Sequence, residues 1–382
     1  MQALEMVLAD RQLTTGNRPS NELSPTLGFR FPAEWEPHQG TWIAWPHNKK
    51  DWPGKFSSIP WVFAEIVRHL HRGERVGILI QDRIQVRRVG RLLEKVGVEL
   101  RQIDFLVCPT DRVWTRDFGP LFIKRETSGR AELAATNWKF NAWAKYSNWK
   151  KDNAASAKIL RRLGIKSCEP AVVKENKALR VILEGGSIDV NGRGTLLTTE
   201  ECLLSPVQQR NPGLDRADME KIFFDYLGVT KVLWLRRGIA GDDTHGHVDD
   251  LARFVNPNTV VVASEEDRSD ENFEPLLENF ELLKTMMDQD GNPLKLVPLP
   301  MPKPLIFQGQ RLPASYANFY IGNRVVLVPT FNDPHDRIAL AILAGVFPGR
   351  EVIGIHSVDL VWGLGTLHCL TQQQPECQWP RL

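Results

Sequence analysis

The sequence has few cysteines, and their spacing does not indicate a disulfide framework. The chain of 382 residues contains five, with no CxxC pair and no histidine at zinc-ligand spacing: Cys108, Cys168, Cys202, Cys369 and Cys377. An odd number of widely spaced cysteines argues against a set of disulfides and favours a reducing compartment. We therefore expect a cytoplasmic protein with free thiols and no structural zinc site.

Long hydrophobic runs and blocks of one charge are also absent. No apolar stretch reaches the roughly 18 residues that a membrane span needs, and the formal net charge is only +2. We expect neither a membrane nor a nucleic-acid partner. Residues 1–25 are polar and lack the apolar centre of a secretory signal. They are expected to form a loosely ordered lead-in before a single domain over residues 26–382.

Composition and periodicity indicate an α/β fold. The chain is 42% hydrophobic and 25% charged, which is ordinary for a globular protein. A short apolar strand at residues 76–80 precedes an amphipathic helix at residues 85–96. Three hairpins are predicted from turn residues between β-type runs, at residues 182–199, 251–263 and 316–329. Helical patterns follow at least two of them, at residues 216–227 and 336–343.

One unit of polar loop, hairpin, helix and short strand recurs along the chain. Its landmarks are separated by 67, 63, 71 and 51 residues, and they are Asp117, Glu184, His247, Asn318 and Cys369. Repetition at this period is typical of radial folds such as propellers. A generic α/β domain with several hairpins fits the periodicity equally well, so the pattern alone leaves both open.

Two segments place a carboxylate beside glycine. Asp117 precedes Gly-Pro at a turn before a predicted strand, where it could instead cap the turn and pair with Arg116 on the surface. Glu184 follows three apolar residues and precedes two glycines, which allow a sharp bend or a close approach to a ligand. A carboxylate in that position is expected to be part-buried and to need a partner. The alternative is an ordinary hairpin edge.

The segment at residues 241–250 holds four carboxylates and two imidazoles. If His247 to Asp249 is extended, both side chains lie on one face and could form an acid/base pair beside a cation-binding carboxylate. His245 and His247 with the nearby aspartates could instead ligate a divalent metal ion. A solvated acidic loop is the third interpretation.

Cys369 follows a glycine-rich approach near the end of the chain. Such a backbone could be shaped around a reactive thiolate, which needs a cationic neighbour to form at neutral pH. A small buried hydrophobic role is the alternative. His368 is adjacent but would point to the opposite face of a strand, so His247 is preferred as the partner.

Taken together, these segments resemble the agmatine deiminase and bacterial-type peptidylarginine deiminase family, within the guanidino-group-modifying superfamily. The resemblance spans about residues 28–376, and it is carried by the segments Glu36-Pro37-His38, Trp114-Thr115-Arg116-Asp117-Phe118-Gly119-Pro120, Phe140-Asn141-Ala142-Trp143, Leu183-Glu184-Gly185-Gly186, Gly241-Asp242-Asp243-Thr244, Gly246-His247-Val248-Asp249, Ser315-Tyr316-Ala317-Asn318 and His368-Cys369.

The resemblance implies a fold, a reaction and residue roles. The fold is a five-bladed α/β propeller (pentein) with pseudo-fivefold symmetry. The reaction is hydrolytic deimination of a small guanidine, with agmatine going to N-carbamoylputrescine and ammonia, without metal or cofactor. Cys369 is the implied nucleophile and His247 the general acid/base. Asp117 and Asp249 would grip the guanidinium, Glu184 would orient His247 or the guanidinium, and Trp114 would form a pocket wall.

The chain departs from the family pattern at two positions, and several alternative functions are also considered. His245 stands where the family usually has aspartate, and Leu364 replaces a glycine. The alternatives are a deiminase for free arginine or peptidylarginine, an amidino-transferring enzyme, a metal-dependent hydrolase and an inactive binding propeller. The tail of the substrate could rest on Trp42, Trp45 or Trp143. The oligomeric state is left open, a homo-oligomer included.

Overall fold

The computed structural model describes residues 28–127, 130–174 and 177–377. The expected lead-in at residues 1–25 lies outside this part of the chain. Within it, strands and helices alternate in an α/β fold. The α-helices are α1 Ile59–Leu70, α2 Arg83–Lys95, α3 Thr115–Phe118, α4 Lys150–Leu163, α5 Glu200–Leu204, α6 Arg216–Leu227, α7 Phe273–Lys284 and α8 His335–Val346.

The strands of the described residues are mostly short. They are β1 His38–Ala44, β2 Arg75–Ile80, β3 Ile103–Val107, β4 Leu121–Thr127, β5 Arg130–Thr136, β6 Ser167–Cys168, β7 Ala171–Lys174, β8 Lys177–Arg180, β9 Asp189–Val190, β10 Thr195–Thr199, β11 Lys231–Leu235, β12 Ala252–Asn256, β13 Thr259–Ser264, β14 Lys295–Pro300, β15 Ile306–Phe307, β16 Gln310–Arg311, β17 Tyr320–Ile321, β18 Val325–Thr330, β19 Glu351–His356 and β20 Gln372–Pro375. Single 3-10 turns cover Leu100–Gln102, Gly185–Ser187, Val248–Asp250 and Leu360–Gly363.

One topology recurs five times among the described residues. In each unit two strands pair antiparallel, a helix follows, and a third strand pairs parallel with the second. The units are β4-β5-β6, β9-β10-β11, β12-β13-β14, β17-β18-β19 and β20-β1-β2, the last extended by β3. None of these sheets is closed in the described part of the chain. The recurring unit that the landmark spacing predicts is therefore present.

The third unit shows why this sequence folds in this way. Strand β13 is a run of valines that is buried on both faces between β12 and β14, as expected for a central strand. Helix α7 lies over the sheet and contributes Leu276 and Leu283 to the same apolar cluster as Phe254. Burial of such side chains contributes about 25 cal/mol per Å² of apolar surface. The hairpin predicted at residues 251–263 is confirmed.

Helix α6 has the bounds that its sequence pattern predicts. Asp215 and Asp218 form a capping box that satisfies free N–H groups at the start of the helix. Gly228 ends the helix with a φ of 68°, a left-handed conformation that glycine adopts without strain.

The fifth unit joins the two ends of the described chain. Strand β20 pairs antiparallel with β1, with Gln372 opposite Trp42 and Gln374 opposite Gly40, and β1 then pairs parallel with β2. Cys369 lies three residues before β20. No helix in the described residues combines the length and the apolar composition of a membrane span.

Candidate active site

Each landmark residue lies just before the first strand of its unit. Asp117 is in α3 ahead of β4, Glu184 precedes the 3-10 turn ahead of β9, and His247 precedes the turn ahead of β12. Asn318 and Cys369 lie ahead of β17 and β20. The same position in each of the five units therefore supplies one polar side chain, and these side chains meet.

The thiol of Cys369 is held by Asn318, another of the landmarks, and by Asp249. The side chain of Cys369 is 6% exposed. Asn318 donates a hydrogen bond from Nδ2 to Sγ over 3.1 Å, and the thiol of Cys369 donates to Asp249 Oδ2 over 3.7 Å. Asn318 also accepts through Oδ1 from Thr366 and from the amide of His368, which fixes the loop that carries the thiol. Asn318 was found by its motif, but its contact with the sulfur was not predicted.

Three carboxylates surround the imidazole of His247. Nδ1 is 3.9 Å from Asp117 Oδ1 and 4.0 Å from Asp249 Oδ1, and Nε2 is 3.7 Å from Glu184 Oε2. His247 is 1% exposed, and neither ring nitrogen has a hydrogen-bond partner among the described residues; the same is true of Asp249 Oδ1. Buried polar atoms without partners are rare, so three of them in one cluster make it a candidate functional site.

The backbone from His247 to Asp249 is not the extended conformation on which the acid/base pairing argument was conditional. Residues Val248–Asp250 form a 3-10 turn, so the period-two argument does not apply. The turn still directs both His247 and Asp249 into the site, because Asp242 accepts hydrogen bonds from the amides of Gly246 and His247 and holds the loop.

Gly186 allows these groups to approach one another. A Cβ at this position would lie 2.6 Å from His247 Nδ1, 2.9 Å from Asp117 Oδ1 and 3.0 Å from Asp249 Oδ2. Its amide donates to Asp117 Oδ1 over 3.1 Å. The close approach inferred from the paired glycines is thus a property of the site itself.

Burial and mutual repulsion control the protonation of this cluster. Burial raises the pKa of Asp117 to about 6, aided by the charges of Asp249 and Glu184 and opposed by His247. Burial alone would lower the pKa of His247, yet Asp117, Cys202 and Glu184 together raise it well above its ordinary value. The imidazole is therefore held protonated in the free protein.

The pKa of the Cys369 thiol is raised as well. Burial raises the pKa of Cys369 well above its ordinary value, and the charges of Asp249, Asp250 and Asp117 raise it further. The sulfur is accordingly a neutral thiol in the free protein. A cation placed among these carboxylates would offset the charges that suppress the thiolate.

Glu184 has a partner that sequence reasoning did not identify. Arg210 donates from Nε to both carboxylate oxygens over 3.2 and 3.3 Å, and the side chains of both residues are fully buried. Burial raises the pKa of Glu184, but Arg210 and His247 outweigh it, so the net shift is downward. The hairpin-edge alternative is wrong, and the need for a partner is confirmed.

His368 and Arg116 are buried in a second layer of charge. His368 places Nδ1 2.7 Å from Asp249 Oδ2 and Nε2 2.9 Å from Glu34 Oε2. Arg116 donates to Glu34 over 2.8 Å and does not pair with Asp117 on the surface, so that alternative is wrong. Residues 367–370 form a turn and not a strand, which is why His368 reaches Asp249.

A cavity of about 430 Å³ opens onto Cys369 and Asp117. Trp114, Trp143, Tyr146 and Leu364 line it. Trp143 also donates from Nε1 to Asp117 Oδ2 over 2.9 Å. The cavity lining therefore includes two of the tryptophans that the sequence analysis proposed as substrate contacts, Trp114 and Trp143.

The other two tryptophans lie elsewhere. Trp45 packs edge-on against Phe63 in the core. Trp42 donates to Gln374 at the β1–β20 pair. Neither lines the cavity, so they are not the tail contacts that the sequence allowed.

Both departures from the family pattern adopt left-handed backbone conformations. His245 has a φ of 64° and Leu364 a φ of 69°, a region that costs a bulky residue about 1–2 kcal/mol. His245 faces Ser205 and Glu201, away from His247. Among the described residues, the group whose ligand atoms lie close enough to share a metal ion consists of Glu184, Cys202 and His247, and His245 is not part of it.

Comparison with known proteins identifies the family of this chain. The family of Porphyromonas-type peptidyl-arginine deiminases matches residues 30–375. The chain belongs to this family. A relative from Medicago truncatula, an agmatine deiminase, is 35% identical over 93% of this chain and 98% of its own.

Solved structures of deiminases share the fold. The agmatine deiminase of Enterococcus faecalis superposes with a TM-score of 0.84 at 30% identity, covering 94% of this chain and 100% of its own. The agmatine deiminase of C. jejuni, solved as a cysteine-to-serine variant with substrate bound, has a TM-score of 0.78 at 29% identity, covering 91% and 97%. The family resemblance inferred from the sequence is confirmed.

Proposed function

We propose that this protein is an agmatine deiminase that hydrolyses agmatine to N-carbamoylputrescine and ammonia through a covalent intermediate on Cys369. The observation that carries the proposal is the convergence of one thiol, one imidazole and three carboxylates beside a cavity that Cys369 and Asp117 line. Full-length relatives in Medicago truncatula and Enterococcus faecalis that are agmatine deiminases support the choice of substrate.

Substrate binding would use the buried carboxylates. A guanidinium is a flat cation that donates several N–H groups, and charge-assisted bonds to carboxylates are short and directional. Asp117 and Asp249 grip it, and Asp249 Oδ1 is a buried acceptor that has no partner among the described residues. Trp114 forms a wall of the cavity. Binding also fixes the guanidinium carbon within reach of the sulfur.

The first half of the reaction forms the covalent intermediate. The bound cation offsets the carboxylate charges around Cys369, which lowers the cost of losing the Sγ proton. Sγ releases this proton to solvent, because His247 is already protonated and cannot accept it. Sγ attacks the guanidinium carbon and forms a tetrahedral adduct. His247, already protonated, gives its proton to the departing nitrogen, and ammonia leaves. An S-alkylthiouronium remains on Cys369.

The second half uses the same groups in reverse. His247, now neutral, takes a proton from a water that attacks the same carbon. The C–S bond breaks, the hydroxyl proton of the second adduct passes to the sulfur, and the ureido product leaves Cys369 as a neutral thiol and His247 protonated, as at the start. Glu184, fixed by Arg210, positions Nε2 of His247 in both halves. No step requires a metal or a cofactor.

We further propose that the five units are the blades of a five-bladed α/β propeller with pseudo-fivefold symmetry, forming one domain over residues 26–382. The recurring strand order and the common position of the landmark residues support it. The cytoplasmic location and any homo-oligomer stay predictions.

The test is turnover of agmatine with the nucleophile removed. The wild type should release ammonia from agmatine, and Cys369→Ala should abolish release while the folded structure persists. Intact-mass measurement of quenched wild type should show an amidino adduct on Cys369. Cys168→Ala, a half-buried cysteine outside the site, is the matched control and should keep full activity. Activity retained by Cys369→Ala would refute the assignment.

A further inference from the structure

The cavity holds charged groups beyond those that grip the guanidinium. Lys50, Asp51, Arg112 and Asp243 all line it together with Cys369. A substrate with a charged tail must meet some of them. Which of these groups is able to bind the tail depends on the bonds that each already makes.

Arg112 and Asp243 are already engaged. Arg112 donates to the carbonyl and the side chain of Asn148 over 2.6 and 2.8 Å, and its guanidinium stacks 4.5 Å from the centre of the Tyr146 ring. Asp243 accepts from Lys145 and from the Tyr146 hydroxyl. These contacts join four side chains that line the cavity into one wall: Arg112, Tyr146, Asn148 and Asp243.

Asp51 differs from both. Its Oδ1 accepts from Asn48 Nδ2 over 2.8 Å, but its Oδ2 is buried without a hydrogen-bond partner among the described residues. Leaving a buried acceptor unpaired costs about 1–3 kcal/mol, so a donor that reaches it is strongly favoured. Burial raises the pKa of this carboxyl to about 6 while Arg112 lowers it, so the group is ionised near neutral pH.

Asp51 is fixed in place by the residue that follows it. Trp52 is fully buried, donates from Nε1 to the carbonyl of Leu360 and packs 5.9 Å from Trp114, a wall of the cavity. A carboxylate on this anchored segment is therefore presented to the cavity by rigid structure.

We propose that Asp51 binds the tail of the substrate as a primary ammonium, and so selects an aliphatic guanidine with an amine at its far end. The inference rests on the proposed function. An ammonium supplies three donors and a positive charge, which matches an ionised carboxylate with one free oxygen. The substrate tail would then bind a carboxylate and not the face of a tryptophan ring, which the sequence allowed.

The test compares agmatine with butylguanidine, which has the same guanidinium and carbon chain but no amine. Asp51→Asn keeps the size of the side chain and the acceptor for Asn48. It should lower kcat/KM for agmatine about 10- to 100-fold, mainly through KM, as expected for a lost charge-assisted bond. For butylguanidine it should change kcat/KM by less than about threefold.

Controls separate this inference from the function on which it rests. Asp104→Asn removes a carboxylate paired with Arg75 outside this cavity and should affect neither substrate. Equal effects of Asp51→Asn on both substrates, or none, would overturn the assignment of Asp51 alone. A wild type inactive on agmatine would overturn the proposed function as well. If Asp51→Asn does not fold, Asp51→Ser gives the same comparison, and calorimetric binding of the two ligands to Cys369→Ala, with and without the Asp51 change, gives a second readout.

Discussion

Replacing Gly186 by alanine should disable the site without unfolding the protein. The added Cβ would lie 2.6 Å from His247 Nδ1 and within 3.0 Å of Asp117 and Asp249. Unstrained contacts to carbon are about 3.5 Å, so the groups must separate by about 1 Å. A misplacement of about 1 Å costs about 100-fold in rate, or about 2.7 kcal/mol of transition-state stabilisation.

Ammonia release from agmatine measures this effect, and thermal unfolding checks that the variant is folded. Gly345→Ala is the matched control, because a Cβ there meets nothing within 4 Å in the last turn of α8. It should leave kcat/KM unchanged and raise stability by about 0.5–1 kcal/mol. If Gly186→Ala kept wild-type kcat/KM, the contact between His247 and its carboxylates would not matter for catalysis.

Two further predictions concern the charges around the site. Glu184→Gln should lower the free energy of unfolding in urea by about 3–5 kcal/mol, because it leaves the buried Arg210 without its counter-ion. Glu201→Gln keeps an oxygen that can accept from the amide of Gly238 and loses only the charge, so it should cost about 1 kcal/mol or less; equal losses would contradict the reasoning. Asp249→Asn should speed alkylation of Cys369 by iodoacetamide near pH 8, because the Asp249 charge raises the pKa of the Cys369 thiol. Mass spectrometry measures the rate, with Cys168 as the reference cysteine. A slower reaction would argue against this electrostatic role.

The units of the fold could be predicted because they are local. Hairpin, helix and following strand come in chain order, so turn residues and periodicity identify them, as for residues 251–263 and helix α6. The convergence of the landmarks could be anticipated from their spacing once a repeat was recognised. Their position before the first strand of every unit then brings them together.

The second layer could not be predicted, because its contacts join distant parts of the chain. Glu34 binds Arg116, Arg253 and His368, which lie 82, 219 and 334 residues away. No local pattern signals such pairs. His368 was assigned to the wrong face because a turn was taken for a strand, and Arg210 lay outside every segment that was considered.

The pairing of β1 with β20 has a consequence for biosynthesis. Strand β20 follows the loop that carries Cys369, and its sheet joins the first and the last strands of the described chain. During translation four units can acquire their hydrogen bonds as they emerge from the ribosome, but β1 must wait for a strand made about 330 residues later. Non-local closure of this kind is slow. Catalytic competence should therefore arise only once β20 has been made and has paired with β1, and a nascent chain stalled before β20 should be inert.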